Sequence, residues 1–125
     1  MQLKLCGNVV CGFPSPGEEN REEALDFNEY LVRHKACTFC LRAYGTSMIP
    51  SVKEGDILVV DRSLAFHAGD MVVAQYNGDF TVKYLQKRDS DYFLYPENPS
   101  FKSMRVNADT VIFGVVTAIV RKLRQ

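Results

Sequence analysis

A dominant charge is missing from this chain: fifteen lysines and arginines are matched by fifteen aspartates and glutamates over 125 residues. Such a balance leaves no global field to draw the chain to DNA, RNA or an anionic membrane, so any nucleic-acid role is indirect or confined to a patch. Histidine is scarce as well, with two in the chain, and neither lies in a recognisable triad pattern. Long apolar runs are absent. The longest, Val111 to Val120, is about half of the ~20 residues that a membrane helix needs. The opening MQLKLCGNVVCGF has one lysine, and its apolar residues are broken by Gly7 and Asn8, so it does not read as a secretory signal. A hydrophobic content of 46% suffices for an ordinary core, and the length fits one domain. The expectation is a soluble, cytoplasmic protein without a membrane association.

Cysteine is present, but nothing indicates the oxidising compartment in which disulfides persist. Cys37-Thr38-Phe39-Cys40 has the spacing of half a zinc site, which Cys6, Cys11, His34 and His67 would have to complete. The segment CTFCLRAY reads instead as a strand, and there a C-x-x-C spacing sends the two sulfurs to opposite faces. No metal and no cofactor is expected, and the thiols are read as free, in or near the core.

The chain divides unevenly. Residues 1–23 hold Gly7, Gly12, Pro14, Pro16 and Gly17, then the charged run Glu18-Glu19-Asn20-Arg21-Glu22-Glu23, a composition that predicts an extended, flexible arm with a solvated hinge. Asp26 followed by Glu29 resembles a capping pair, and Phe27, Tyr30 and Leu31 then share one helical side. One short helix is expected, over 26–34. From Cys37 onward the signal is strand: CTFCLRAY, DILVVD, MVVAQY, FTVKYL, YFLY and TVIFGVVTAIV are β-branched or aromatic runs separated by turn residues. Asn77-Gly78 between two of them is a strong hairpin mark. The fold class expected for 24–125 is mainly β: a compact, mostly antiparallel, barrel-like domain. Within it Val111–Val120 is either central or covered by a partner.

Three local features bear on chemistry. In Gly45-Thr46-Ser47-Met48-Ile49-Pro50 a strand ends in glycine and a serine follows; the backbone N–H groups of Ser47 and Met48 are then placed to hold an oxyanion. Alone, this is more often a plain turn serine. In Phe80-Thr81-Val82-Lys83-Tyr84-Leu85 the period-two pattern puts Thr81, Lys83 and Leu85 on one face. An ammonium beside an apolar neighbour loses hydration and its pKa falls, which fits it to accept a proton. Alone, it is more often a lysine on the wet face of an edge strand. Cys11-Gly12-Phe13-Pro14-Ser15-Pro16 is held extended by its prolines; the bland alternative is an ordinary linker.

Taken together and in this order, a CGFPSP segment, a GTSM serine and an FTVK lysine resemble the UmuD-like self-processing proteins, within the wider Ser/Lys peptidase family of LexA and the phage repressors. The three stations fall at near-equal intervals, from 12 to 47 and from 47 to 83. The likeness runs on through EGDILVVD, HAGDMVVAQYNGDFTVKYLQ and FGVVTAIV.

The resemblance implies an autoproteolytic serine peptidase. Ser47 attacks the carbonyl of Cys11, neutral Lys83 serves as base, the Ser47 and Met48 N–H groups hold the oxyanion, and the Cys11–Gly12 bond is cut. It further implies stimulation by the RecA filament on single-stranded DNA in the SOS response to DNA damage. The processed product is then a homodimer serving as accessory subunit, with a UmuC-like polymerase, in error-prone translesion synthesis. A LexA-type repressor carries a helix-turn-helix domain before its cleavage site, whereas the eleven residues before Gly12 lack helical periodicity and basic clustering. The UmuD branch, without direct sequence-specific DNA binding, is therefore expected. Two rivals stand beside it: a signal-peptidase-like protease acting on other proteins, and a non-catalytic β interaction module that binds a polymerase or repressor.

Overall fold

The structure is a computed structural model that describes residues 2–14 and 23–124. The chain falls into two compact units, Met1–Arg33 and His34–Gln125.

In the first unit, β1 (Leu3–Leu5) pairs antiparallel with β2 (Glu23–Leu25), setting Leu3 opposite Leu25 and Leu5 opposite Glu23. The ends of the stretch read as an arm are thus tied by a short ladder. Cys11 and Gly12 are exposed, and the charged run 18–23 expected as a hinge lies, but for Glu23, outside the described residues. The helix α1 occupies Phe27–Leu31 and is capped as its sequence predicts, the Asp26 carboxylate accepting from the Asn28 N–H at 2.9 Å. It is shorter than 26–34 because Val32 turns to extended backbone, φ −119° and ψ 102°.

The second unit is one antiparallel sheet of seven strands in the order β3-β4-β9-β5-β6-β7-β8. These are β3 (Thr38–Arg42), β4 (Ile57–Asp61), β5 (Met71–Tyr76), β6 (Asp79–Arg88), β7 (Asp91–Tyr95), β8 (Met104–Arg105) and β9 (Val111–Val120). Six of them fall on the six runs named above, and β8 is an addition too short to leave a sequence signal. The mainly β, antiparallel expectation holds, in a ladder that is open at β3 and β8 among the described residues. Asn77 and Gly78 both take positive φ, 51° and 88°, in the two-residue turn that joins β5 to β6; only residues that tolerate this conformation make so tight a hairpin.

Both faces of the sheet are covered, so its central strands are nearly continuous apolar runs. On one side Leu58, Val60 and Val73 pack with Met48 and Val52, and on the other Val72, Ala74, Leu85, Leu94 and Val115 pack together. Each valine, leucine or methionine side chain among these contributes roughly 1.5–3 kcal/mol on leaving water, before entropy is charged against it. The strand β9 runs between β4 and β5, which is the central position anticipated for its long apolar sequence. It can lie that close to β4 only because Gly114 has no side chain: a Cβ there would meet Val60 Cγ1 at 2.7 Å.

Candidate active site

After Arg42 the chain leaves β3 and makes a long turn before re-entering the sheet at Ile57. Backbone bonds close this loop at its base, with the Ala43 N–H donating to Asp56 O and the Gly55 N–H to Ala43 O, both at 2.8 Å. Within it Met48 and Val52 are buried in the core. Ser47 precedes the buried Met48 directly, so the packing that fixes Met48 also fixes the backbone of the serine. Three further contacts hold the loop from outside. Glu97 accepts from both the N–H and the O–H of Ser51 at 2.8 Å. Arg121 pairs with the buried Asp56 at 2.6 Å and reaches Ser51 O at 3.3 Å. Asn98 donates to Ser47 O and Thr46 O.

Lys83 lies in β6 opposite Val72 of β5, and is 7% exposed. Its Nζ is 3.0 Å from Ser47 Oγ, 2.7 Å from Thr81 Oγ1 and 3.1 Å from Val82 O. Among the described residues no carboxylate pairs with it, and its burial pushes the ammonium below the usual lysine range. A buried amine without a counter-ion is costly as a cation, and this cost is what makes a lysine usable as a base near neutral pH.

The contacts also set the direction of proton transfer. The ammonium has three N–H donors and meets three oxygens. The neutral amine has two N–H groups and one lone pair. When Thr81 Oγ1 and Val82 O retain the two donors, the lone pair is left facing Ser47 Oγ, ready to accept its proton. Beside this pair a cleft of about 510 Å³ opens, with Ser47 and Thr81 in a mostly apolar wall that includes Leu41, Met48 and Val82 and also carries Arg42 and Tyr44. Phe113 meets Phe39 and Phe80 edge to face at 5.5 and 5.2 Å in the same lining.

The structure thus brings Ser47 and Lys83 into hydrogen-bond contact, with the Thr81, Lys83 and Leu85 face as the strand period predicts. Among the described residues the Ser47 and Met48 N–H groups enter no backbone hydrogen bond. The cysteines are all unpaired, Cys6, Cys11 and Cys40 exposed and Cys37 half-buried. Cys40 thus faces solvent rather than core, because β3 is an edge strand. His34 is engaged by Asp61, Nδ1 to Oδ2 at 2.7 Å, and His67 lies 4.0 Å from Asp70. Among the described residues no three His, Cys, Asp or Glu side chains converge on a common point, and no helix is long and apolar enough to cross a membrane. Two residues went unmarked in the sequence reading. Thr81 was signalled by its i,i+2 relation to Lys83, and Asn98 had no local signal, being 52 residues from Thr46.

Comparison with known proteins finds relatives over most of the chain. The Peptidase S24-like family profile matches residues 4–117. SamA of Salmonella typhimurium strain LT2 is 43% identical over 114 residues, covering 90% of this chain and 80% of that protein. ImpA of Escherichia coli is 42% identical over 126 residues, with 91% and 79% covered, and MucA of Escherichia coli 41% identical over 113 residues, with 87% and 77% covered. A family profile over nearly the whole second unit and relatives of this closeness leave one assignment: the chain belongs to the Peptidase S24-like family, among its UmuD-like members, the self-cleaving Ser/Lys serine peptidases of SOS mutagenesis.

Proposed function

We propose that Ser47 and Lys83 cut the chain at the Cys11–Gly12 bond. Neutral Lys83 takes the hydroxyl proton as Ser47 Oγ attacks the Cys11 carbonyl carbon. The resulting oxyanion sits on the Ser47 and Met48 N–H groups. The C–N bond then breaks as the Lys83 ammonium returns its proton to the Gly12 nitrogen, which leaves as a new amino terminus. Water, deprotonated by the same amine, attacks the Cys11 ester and frees Ser47. The product runs from Gly12 to Gln125.

The observation that carries this reading is the 3.0 Å contact between Lys83 Nζ and Ser47 Oγ on a lysine that is 7% exposed. The exposed CGFP segment supports the choice of bond, since a peptidase needs backbone that is free to be gripped. Docking that segment over the dyad would strip the remaining water from Lys83, so the reaction waits on a conformational equilibrium of residues 1–23. A partner that favours the docked state then switches the reaction on without supplying a catalytic group. By its place among UmuD-like proteins, that partner is the RecA filament on single-stranded DNA. The product is a homodimeric, cytoplasmic accessory subunit of a UmuC-like translesion polymerase.

Incubation of the full chain near pH 10, followed by intact mass, tests the mechanism. The expected product lacks eleven residues, and Ser47→Ala and Lys83→Ala samples remain whole. A fragment of that mass from Ser47→Ala, or none from the native chain, would overturn the proposal and favour a non-catalytic module.

A further inference from the structure

The proline-flanked segment Pro96-Glu97-Asn98-Pro99 joins β7 to β8 and lies against the nucleophile loop. Asn98 there makes two donations to consecutive peptide units. Its backbone N–H donates to Ser47 O at 3.0 Å, and its side-chain Nδ2 donates to Thr46 O at 3.0 Å. The rest of the residue is committed as well: Oδ1 accepts from the Ser100 N–H at 3.0 Å and the carbonyl from the Phe101 N–H at 3.1 Å. The acceptor role of Oδ1 fixes which end of the amide faces Thr46. Pro99 restricts Asn98 to extended backbone, and Pro96 fixes its own φ, so the donor pair is presented by a stiff strap.

What this grip does follows from the planar trans peptide, in which the C=O and the next N–H point in opposite directions. The Thr46 carbonyl shares its peptide with the Ser47 N–H, and the Ser47 carbonyl shares its peptide with the Met48 N–H. One residue holds both carbonyls, so both carbonyls point toward it. Both N–H groups therefore point away from the strap, side by side.

We infer that Asn98 is a positioning residue for the oxyanion site: by holding the Thr46 and Ser47 carbonyls it aims the Ser47 and Met48 N–H groups at the same point. The inference rests on the proposed Ser47 mechanism and adds a residue that touches neither substrate nor the reacting atoms. Preorganised donors act because they need no reorientation as charge develops. Loss of the Nδ2 donation leaves the Thr46 carbonyl to the longer 3.4 Å bond from the Ile49 N–H, so the Ser47 N–H is present but less firmly aimed.

The test is the self-cleavage rate of the full chain from pH 6 to 11, with melting temperature measured on the same samples. Two neutral variants are used, Asn98→Ala and Asn98→Ser; the serine hydroxyl can still accept from the Ser100 N–H and keep the turn. The comparator is Glu97→Gln, which alters the same strap where it holds Ser51 rather than the oxyanion peptides. The expected result is a plateau rate lowered about 10-fold or more in both Asn98 variants. The pH midpoint is unmoved, and Glu97→Gln stays within about 3-fold of the native rate.

An unchanged midpoint separates aim from support, because a loosened fold readmits water to Lys83 and moves the midpoint upward. Native plateau rates in Asn98→Ser, an upward midpoint, or an equal loss in Glu97→Gln would each overturn the inference. If the native chain itself stays whole, or Ser47→Ala is cut, it is the peptidase mechanism that fails instead.

Discussion

Thr81 Oγ1 stands 2.7 Å from Lys83 Nζ, closer than the 3.0 Å that separates the amine from Ser47 Oγ. The two residues are neighbours on one face of β6 because strand side chains repeat every second position. Removing this acceptor lets the neutral amine rotate its lone pair away from the serine. Thr81→Val, which keeps the shape, should slow self-cleavage about 10-fold, the order expected for one hydrogen bond. Thr81→Ser should retain most of the rate. Quantifying fragment over time at a fixed pH checks this; equal rates in Thr81→Val and the native chain would remove Thr81 from the mechanism.

The buried position of Lys83 also predicts a conflict between activity and stability. Its folded-state pKa lies below the ordinary lysine value of 10.5, through desolvation. Between the folded pKa and 10.5 the unfolded chain binds a proton that the folded chain does not, so stability rises with pH across that window. Below it the buried ammonium is a standing cost. Lys83→Met, which fills the space without charge, should therefore melt higher than the native chain at pH 7 while being uncleaved. The difference should shrink as pH approaches 10.5. A melting series over pH 6 to 10.5 decides the point, and a variant that melts lower throughout would contradict it.

The sheet was legible in the sequence because it rests on short-range rules, whereas Ser47 and Lys83, 36 residues apart, were joined by the resemblance of three motifs taken together. The hairpin at Asn77-Gly78 is written in two residues, and the shared face of Thr81, Lys83 and Leu85 in the strand period. Other features depend on distant partners. The grip of Asn98 on Thr46 spans 52 residues and the Arg121–Asp56 pair spans 65, and neither leaves a local pattern. The same holds for the pairing of β1 with β2, where three-residue strands meet across a long interval. The expectation of thiols in or near the core fails at Cys40, whose exposure follows from the edge position of β3, which only the strand order reveals.

Acid should unfold the second unit in part through Asp61. This buried carboxylate accepts from the Ser63 O–H and N–H at 2.6 and 2.8 Å and faces His34 Nδ1 at 2.7 Å. The Ser63 hydroxyl foremost, then His34, holds its pKa down at about 2. A depressed carboxylate contributes stability that is fully present above its unfolded value of about 3.9, and that is lost as pH falls toward the folded one. Melting temperature should therefore fall between about pH 4 and pH 2. Asp61→Asn should start lower at pH 7 and fall less over the same range. Parallel acid profiles for the two proteins would show that other carboxylates govern the transition.

The pair formed by Asp56 and Arg121 yields an ordering of variants. Asp56 precedes β4 and Arg121 follows β9, at the end of the ladder where Ile57 pairs with Val120. The Asp56 side chain is 1% exposed, and the Arg121 hydrogen bonds at 2.6 Å hold its pKa below the usual carboxylate range. Arg121 also reaches Ser51 O, so the pair braces the loop that carries Ser47. Arg121→Met removes the counter-charge and strands a buried carboxylate, which costs more than losing the pair as a whole. Arg121→Met should therefore melt lowest, by about 5 °C or more below the native chain. The double variant Asp56→Asn with Arg121→Met should recover part of that loss, since it leaves no buried charge. The deficit of Arg121→Met should also narrow from pH 7 toward pH 4, where its unpaired carboxylate takes up a proton. A double variant that melts below Arg121→Met would mean that hydrogen-bond shape, rather than stranded charge, governs this corner of the sheet.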